Sequence, residues 1–303
     1  MIRLQYIASS GNTYDLNKNG ILTRDANFHS WAWQASGVAL QYGQRLVQFT
    51  KDSVTYSAAL VLKGPQIHRR ELIERLHEDM ERDIRTKSPG RLYWQNWYIP
   101  CYAIESTTDP QESRTDNTVG FFCPRPFWVH EESYSFYPGT DTPAEYLDYP
   151  YDYPYDFYAG RDGDETIARN FPFASEFKMD IFGPVASPSI WINGHEYGLE
   201  STIADGEYAT IDSRNNTVTL TTSNGTENIF DFRIKQSNTF APIPGGTIDI
   251  QWSGLFGFDL TLFEERSEPL RSTGFRQNYI LVGSNGSEII GSDDRVIEGV
   301  QTW

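Results

Sequence analysis

The chain reads WINGHEYGL at residues 191–199, DGEYATIDSRNNTVTL at 205–220, FAPIPGGTIDIQWSG at 240–254 and FEERSEP at 263–269. In these pieces, short segments alternate apolar and polar residues, and turn-forming pairs separate the segments. The pairs are Asn193-Gly194, Asp205-Gly206, Asn215-Asn216, Asn224-Gly225 and Gly245-Gly246. Period-two alternation interrupted by residues that tolerate positive φ is typical of antiparallel hairpins. This part of the chain is therefore predicted to be an all-β sandwich.

Length and composition favour two β-rich domains. The chain has 303 residues, more than one hydrophobic core usually organises. Aromatic residues make up 15%, and there are 24 glycines and 16 prolines. Strands accept aromatic side chains readily, while glycine and proline mark turns, so a helical bundle is disfavoured.

Charge and terminal sequence exclude several classes of protein. The net charge is −16 and the isoelectric point is near 4.7, so no basic surface for phosphate binding is expected. The first residues lack a basic segment followed by an apolar run, and no later run is long enough to span a bilayer. We expect a soluble protein made in the cytoplasm, without stable nucleic-acid binding and without a membrane span.

The two cysteines, Cys101 and Cys123, are too few for a disulfide framework. Each lies in a predicted strand, and buried free thiols are the expected state. A bond between them remains geometrically open if the two strands pair side by side.

One long helix is predicted at about residues 65–87. Apolar residues recur there at helical spacing (Ile73, Leu76, Met80 and Ile84), and charged residues, Asp79 among them, take the other faces. Pro65 suits the start of a helix, and Ser88-Pro89-Gly90 stops it. Its charged side is interpreted either as a solvated surface or as a subunit contact. For the contact, the candidate residues are Arg70, Glu74, Arg75 and Arg82.

The helix interrupts a region of strands that runs from residue 1 to about 129. Residues 91–106 and 119–129 are predicted strands on either side of a polar loop at 107–118. Prolines at 124 and 126 cannot donate ladder hydrogen bonds, so a domain boundary is placed near Val129.

Residues 130–171 are predicted to form a linker arm rich in Tyr, Pro and Asp. At its centre the chain reads LDYPYDYPYDFY (147–158), and the prolines exclude both a helix and a central strand. So many aromatic rings are unusual in a naked linker, which favours an extended arm packed on a surface. The packing residues are predicted to be Tyr149, Tyr151, Tyr153 and Tyr155.

Signals for metal binding and catalysis are weak. Residues 15–20 read DLNKNG, like the first half of a calcium loop, but Ala26 stands where a bidentate Glu is required. No zinc spacing, phosphate loop or nucleophile elbow is present, and adjacent acids such as Glu264 and Glu265 are common in an acidic chain. We therefore expect no catalytic residues, no metal site and no cofactor, and the protein is predicted not to be an enzyme.

Several short motifs follow one another in a recognisable order. The C-terminal half carries SPSIWING (187–194), GEYATIDS (206–213), PIPGG (242–246) and ERSEP (265–269). In the N-terminal half, the helix is followed by GRLY (90–93) and then by CPRPFW (123–128). In this order the chain resembles the distal tail proteins of long-tailed bacteriophages, the siphophage type.

The resemblance implies a structural virion protein of the phage tail tip. Residues 1–129 would form a ring, commonly of six copies, that joins the tail tube to the baseplate. Residues 172–268 would be a galectin-like β-sandwich, and residues 269–303 would extend beyond the point where similar proteins often stop. The implied partners are further copies of the chain, a tail tube protein, a tail-associated hub or baseplate protein, and a receptor-binding protein.

A carbohydrate-binding module that adheres to the host surface is the alternative. Trp191, Tyr197, Tyr208 and Trp252 offer aromatic rings that can stack on sugars, but alternating aromatic residues are also typical of a core. Fold alone does not decide between these functions.

Overall fold

The computed structural model of the protein describes residues 3–139 and 163–270, together with the backbone pairing of two short strands nearer the C terminus. The chain divides into two units, residues 1–126 with 268–303 and residues 127–267. Strands dominate both units, and the described ranges contain one long helix, as the sequence predicts.

The first unit is an antiparallel sheet with a helix against it. Its elements are β1 (Leu4–Ile7), β2 (Thr13–Asp15), β3 (Ile21–Ala26), β4 (Gln34–Ala39), β5 (Gln44–Thr50), β6 (Val54–Lys63), α1 (Gln66–Thr86), β7 (Gly90–Trp94), β8 (Trp97–Pro110) and β9 (Arg114–Cys123). Seven strands hydrogen-bond in the order β3-β6-β9-β8-β7-β1-β2, with every pairing antiparallel. Helix α1 packs on β8 and β9, whereas β4 and β5 pair with each other.

The hairpin of β8 and β9 is longer than the sequence predicts. Residues 107–118, expected to be a polar loop, are paired strand except for a short turn at 111–113. The buried amide of Asn117 donates to Ser106 Oγ (2.9 Å), to Thr107 O (3.3 Å) and to Thr108 Oγ1 (2.9 Å), which ties the two strands together. Backbone pairing does not depend on apolar side chains, so a polar sequence did not prevent it.

Helix α1 begins and ends close to the predicted residues. Pro65 is its N-cap, and Lys87 ends it in the left-handed conformation with its N–H bonded to Ile84 O at 3.2 Å. Ile73, Leu76 and Met80 are buried, as predicted, but Ile84 is 42% exposed. No helix in the described ranges is long and apolar enough to cross a membrane.

Two carboxylates, not Ile84, complete the buried side of α1. Asp83 accepts hydrogen bonds from Tyr6 Oη and from Ser9, through its amide (3.0 Å) and its hydroxyl (2.5 Å). Asp79 accepts from Tyr14 Oη (2.5 Å), Ser10 Oγ (3.0 Å), Asn12 Nδ2 (2.8 Å) and Arg82 Nη1 (3.1 Å). The prediction that Asp79 faces solvent was wrong, because the β1–β2 hairpin supplies these donors.

These contacts fix the protonation states of the partners. Burial, together with the hydrogen bonds to Asp83 and Asp79, raises the pKa of Tyr6 and of Tyr14 well above the usual tyrosine value. Burial alone would raise the pKa of Asp79, but its hydrogen bonds and the charge of Arg82 outweigh that effect and lower it. The helix is therefore held to the sheet by the ionised carboxylate of Asp79, by the hydrogen bonds of Asp83 and by neutral tyrosines.

Replacing Asp83 with Ala is expected to destabilise the first unit by about 3 kcal/mol, because the buried Tyr6 hydroxyl and both Ser9 donors lose their acceptor. Urea unfolding followed by fluorescence measures the change. The control is Glu81→Ala on the exposed side of the same helix, which should cost no more than about 0.5 kcal/mol. Equal losses in the two variants would contradict the anchoring role of Asp83.

The second unit is a sandwich of two antiparallel sheets. Its strands are β10 (Trp128–Phe136), β11 (Gly163–Ala168), β12 (Glu176–Phe182), β13 (Val185–Ala186), β14 (Ser189–Ile192), β15 (His195–Gly198), β16 (Thr202–Ile203), β17 (Tyr208–Asp212), β18 (Thr217–Thr222), β19 (Gly225–Asn228), β20 (Thr247–Trp252) and β21 (Phe258–Arg266). A 3₁₀ turn spans Phe230–Phe232. One sheet has the order β19-β18-β17-β12-β21-β10, the other has the order β11-β20-β14-β15, and β13 pairs with β16.

The two sheets share one apolar core. From β20 it receives Ile248, Ile250 and Trp252, and from β12 it receives Phe177, Met179 and Ile181. The intervening residues of β20 are exposed, so the alternation read from the sequence is the alternation between core and solvent. The predicted antiparallel sandwich is confirmed.

The predicted turn residues connect the strands as expected. Asn193 and Gly194, at φ 49° and 77°, join β14 to β15, and Asn216 at φ 52° lies between β17 and β18. Such pairs suit two-residue hairpins because their backbone twist matches that of the strands.

Parts of the range predicted as linker are strands. Residues 130–136 belong to β10 and residues 163–168 to β11. β10 pairs with β21 along its whole length. Its sequence, WVHEESYSF, was not predicted to be a strand because many of its residues are polar. Tyr149, Tyr151, Tyr153 and Tyr155 lie outside the described residues. So does most of the predicted extension 269–303, of which only the backbone pairing of β22 (Tyr279–Ile280) with β23 (Glu298–Gly299) is described.

A buried arginine ties the ends of the sandwich strands together. Arg169 donates to Glu264 Oε1 (3.3 Å) and to Ser175 Oγ (2.9 Å). The other oxygen of Glu264 lies 3.4 Å from His130 Nδ1. Burial alone would raise the pKa of Glu264, but hydrogen bonds and charges from His130 and Arg169 outweigh it and hold that pKa below the usual value.

Replacing Glu264 with Gln is expected to destabilise the sandwich by about 2 kcal/mol at neutral pH, because buried Arg169 loses one of its two counter-charges and keeps only Glu132, at 3.6 Å. Because the folded pKa of Glu264 is depressed, its contribution is complete above the unfolded value of about 4.3 and is lost as pH falls through the folded value. The difference between wild type and variant in urea unfolding should therefore shrink from about pH 7 to about pH 3. Glu227→Gln on exposed β19 serves as the control, and an unchanged difference would contradict the assignment.

Candidate functional site

The β4–β5 hairpin stands out because it is a pair that no other described strand joins. Every residue from Gln34 to Thr50 is exposed. The outer edges of both strands therefore present backbone N–H and C=O groups to solvent, and such edges are templates for pairing with another chain.

The hairpin has one apolar side. Cross-strand partners share a side of the ribbon, and successive pairs alternate between the sides. The pairs Ala35↔Phe49, Gly37↔Leu46 and Ala39↔Gln44 fall on the same side. Small residues of β4 thus lie opposite larger residues of β5. Phe49 is 59% exposed and Leu46 is 48% exposed, so this side lacks a cover within the described chain.

A bulge shapes the hairpin in its middle. The register shifts between Ser36 and Gly37, so Val47 is the extra residue on β5. A Cβ on Gly37 would lie 2.5 Å from Arg45 O, so only glycine fits there. Beyond the bulge, Leu40 and Tyr42 at the tip are 56% and 86% exposed.

Two tryptophans lie at the base of the hairpin. Trp31 and Trp33, expected in a strand, lie in irregular chain before β4 and are 52% and 43% exposed. Lys51 Nζ lies 5.7 Å from the centre of the Trp33 ring and donates to Pro126 O at 2.5 Å. A cavity of about 150 Å³ opens here, lined by Trp31 and Tyr56 among others. The base is thus fixed to the sheet while the ribbon projects from it.

This arrangement is suited to association. A lone two-stranded ribbon is marginally stable in water, and exposed apolar surface of this kind marks interaction sites. Strand addition at its edges and burial of its apolar side would stabilise it together. Within the described ranges, no group of three or more His, Cys, Asp or Glu is placed to hold a metal.

The structure places the four predicted contact residues of α1 on its exposed surface. Arg70, Glu74, Arg75 and Arg82 are all exposed. Arg82 pairs with Asp79, and Arg75 Nε donates to Glu71 O at 3.3 Å. The sequence did not single out the hairpin, because an alternating strand has the same pattern whether its apolar side is covered or not.

The four aromatic residues considered for sugar stacking differ in burial. Tyr197 and Trp252 are core residues at 1% and 6% exposure, whereas Tyr208 and Trp191 are 37% and 43% exposed. Two of the four are therefore excluded as a binding platform.

Comparisons with known proteins place this architecture in a class. No family model and no curated protein sequence matches the chain. The likeness to solved phage structures covers 88–89% of the chain and so includes residues of both units. The chain has the fold of phage distal tail (Dit) and baseplate hub proteins.

Particular structures show how far the likeness extends. The SPP1 Dit protein, described as a paradigm of the hub adsorption apparatus in phages that infect Gram-positive hosts, aligns over 88% of this chain and 99% of its own, with a TM-score of 0.58 and 10% identity. A chain of the phage p2 baseplate in its activated conformation with Ca aligns over 89% and 100%, with a TM-score of 0.61 and 10% identity. A chain of the same baseplate with Sr aligns with a TM-score of 0.60.

Proposed function

We propose that the protein is a structural component of a phage tail tip, a distal tail protein whose first unit assembles into a ring. The ring, of six copies, joins the tail tube to the hub or baseplate. The second unit anchors receptor-binding proteins. The fold of the whole chain supports this proposal, since the solved structures that share it include a Dit protein and a phage baseplate chain.

The uncovered side of the β4–β5 hairpin is the observation that carries the proposal. Phe49 and Leu46 lie exposed on a ribbon with two open edges. A hairpin on one copy that docks on a different surface of the next copy makes a head-to-tail contact, and repetition of that contact closes into a ring with no free ends. Because these side chains are about half exposed, completing the burial of one of them contributes about 1 kcal/mol.

The exposed residues of α1 give a second contact in this proposal. Arg70, Glu74, Arg75 and Arg82 would meet charges on the neighbouring copy and set the orientation of the contact rather than its strength, since exposed ion pairs contribute little. The linker tyrosines Tyr149, Tyr151, Tyr153 and Tyr155 would pack the arm on a protein surface.

Phe49→Asp is expected to abolish assembly, because it places a charge in the buried centre of the contact. Native mass measurement at micromolar concentration should find wild-type particles at six times the 34.7 kDa chain mass and the variant as single chains. Phe173→Asp is the matched control, since Phe173 is 64% exposed and belongs to the second unit. Wild-type protein that stays monomeric at every concentration would overturn the proposal.

Arg70→Glu is expected to raise the concentration needed for half-assembly by several-fold at low salt, with the effect fading at about 0.5 M salt as charges are screened. Light scattering over a dilution series measures it. Lys235→Glu makes the same charge change on an exposed residue of the second unit and should leave assembly unchanged. If Arg70→Glu matches this control, α1 does not take part in the ring contact.

A further inference from the structure

Trp191 lies on the outer side of the smaller sandwich sheet. Its neighbours on β14, Ile190 and Ile192, are fully buried, so the indole points away from the core. At 43% exposure a large aromatic ring is left open to solvent in the middle of a four-stranded sheet.

Acidic and amide groups flank this ring in a single row. Glu196 on β15 and Gln251 on β20 stand directly opposite Trp191, and Asp164 on β11 stands opposite Gln251. Strands lie about 4.8 Å apart, so Glu196 and Gln251 border the indole on either side, and Asp164 lies one strand beyond Gln251. The Ser189 hydroxyl donates to Glu196 Oε1 at 2.6 Å and so holds that carboxylate beside the ring.

Elsewhere in the second unit, an aromatic ring flanked by acidic residues already has an arginine stacked on it. Arg214 lies over the Phe263 ring at 4.6 Å and pairs with Glu176 (3.2 Å) and Glu265 (2.8 Å). Glu176 stands directly opposite Phe263, as Glu196 stands opposite Trp191. Among the described residues, however, no cation lies over Trp191 and no basic group pairs with Glu196 or Asp164.

We propose that the Trp191 face, defined by Trp191, Glu196, Gln251 and Asp164, binds an arginine side chain presented by a different protein. The guanidinium plane stacks on the indole while its N–H groups donate to Glu196 and to the Gln251 side-chain oxygen. Asp164 adds a second negative charge at the end of the row.

The charge of the Trp191 face indicates which kind of ligand binds there. Two carboxylates beside an aromatic face complement a cation, and indole is the aromatic ring that binds cations best. A basic partner protein is favoured as the source of the arginine, because this chain is acidic overall, with a net charge of −16, and attracts basic proteins to its surface. The inference rests on the second unit alone and holds whether or not the first unit forms rings.

A fluorescein-labelled hexa-arginine peptide tests the site by fluorescence anisotropy at about 0.15 M salt. Trp191→Ala is expected to weaken binding about tenfold without changing the net charge, which separates the ring from general attraction to an acidic protein. Phe232→Ala removes an equally exposed ring (50%) of the same unit and should leave binding unchanged.

Charge variants supply the second arm of the experiment. Glu196→Gln is expected to weaken binding several-fold, whereas Asp205→Asn, the same charge change in an exposed turn, should have little effect. Gln251→Arg places a guanidinium next to the ring in the same chain and should compete with the peptide. Thr247→Arg adds the same charge on the outer side of the same strand and is the control.

Equal affinity of wild type and a folded Trp191→Ala variant for the peptide would overturn the proposal, as would equal effects of Gln251→Arg and Thr247→Arg. Displacement of the peptide by a neutral oligosaccharide such as chitohexaose, lost in Trp191→Ala, would assign the face to a glycan instead. Repeating the titration with the Phe49→Asp variant separates this result from ring formation, because the Trp191 face should bind equally well in single chains.

Discussion

Apolar surface that the described part of the chain leaves uncovered is the constraint on which this structure depends. The β4–β5 ribbon places Phe49 and Leu46 on one side and leaves both strand edges unpaired. Water solvates such a side poorly, and burial of the exposed half of each side chain would recover about 1 kcal/mol. The described residues of the first unit hold the ribbon in place without covering it, and in the proposed ring a neighbouring copy supplies the cover.

Buried polar and charged side chains hold the secondary-structure elements together in both units. In the first, Asp79 and Asp83 hold α1 on the β1–β2 hairpin, and in the second, Arg169 and Glu264 join strand ends of the sandwich. Buried ionic groups add little net stability compared with apolar residues of similar size, but they tolerate few alternative arrangements. These contacts fix α1 on its sheet and hold the strand ends of the sandwich in register.

The sequence predicted the features that depend on local pattern. Alternation at Ile248, Ile250 and Trp252 identified a core strand, and the spacing of Ile73, Leu76 and Met80 identified the helix. Burial of Asp79 could not be predicted, because its partner Tyr14 is 65 residues away in the chain. The exposure of the β4–β5 hairpin could not be predicted either, because whether an apolar side is covered depends on which strands become its neighbours.

The surroundings of Trp191 also could not be predicted from the sequence alone. Its position between Ile190 and Ile192 places it on the opposite side of the strand from them but does not say which side faces the core. The structure answers this, because Ile190 and Ile192 are buried in the core and Trp191 is 43% exposed. The row of Glu196, Gln251 and Asp164 comes from three other strands. Only the register of the sheet brings these residues beside the indole.

Amide hydrogen exchange of residues 34–50, measured above and below the concentration at which the chains associate, tests the central claim most directly. If the hairpin is the surface through which copies join, its amides exchange freely in single chains and become strongly protected in the assembled particle. If the chains associate while these amides exchange at the same rate in both states, the hairpin is not the joint, and the account of how this protein assembles is wrong.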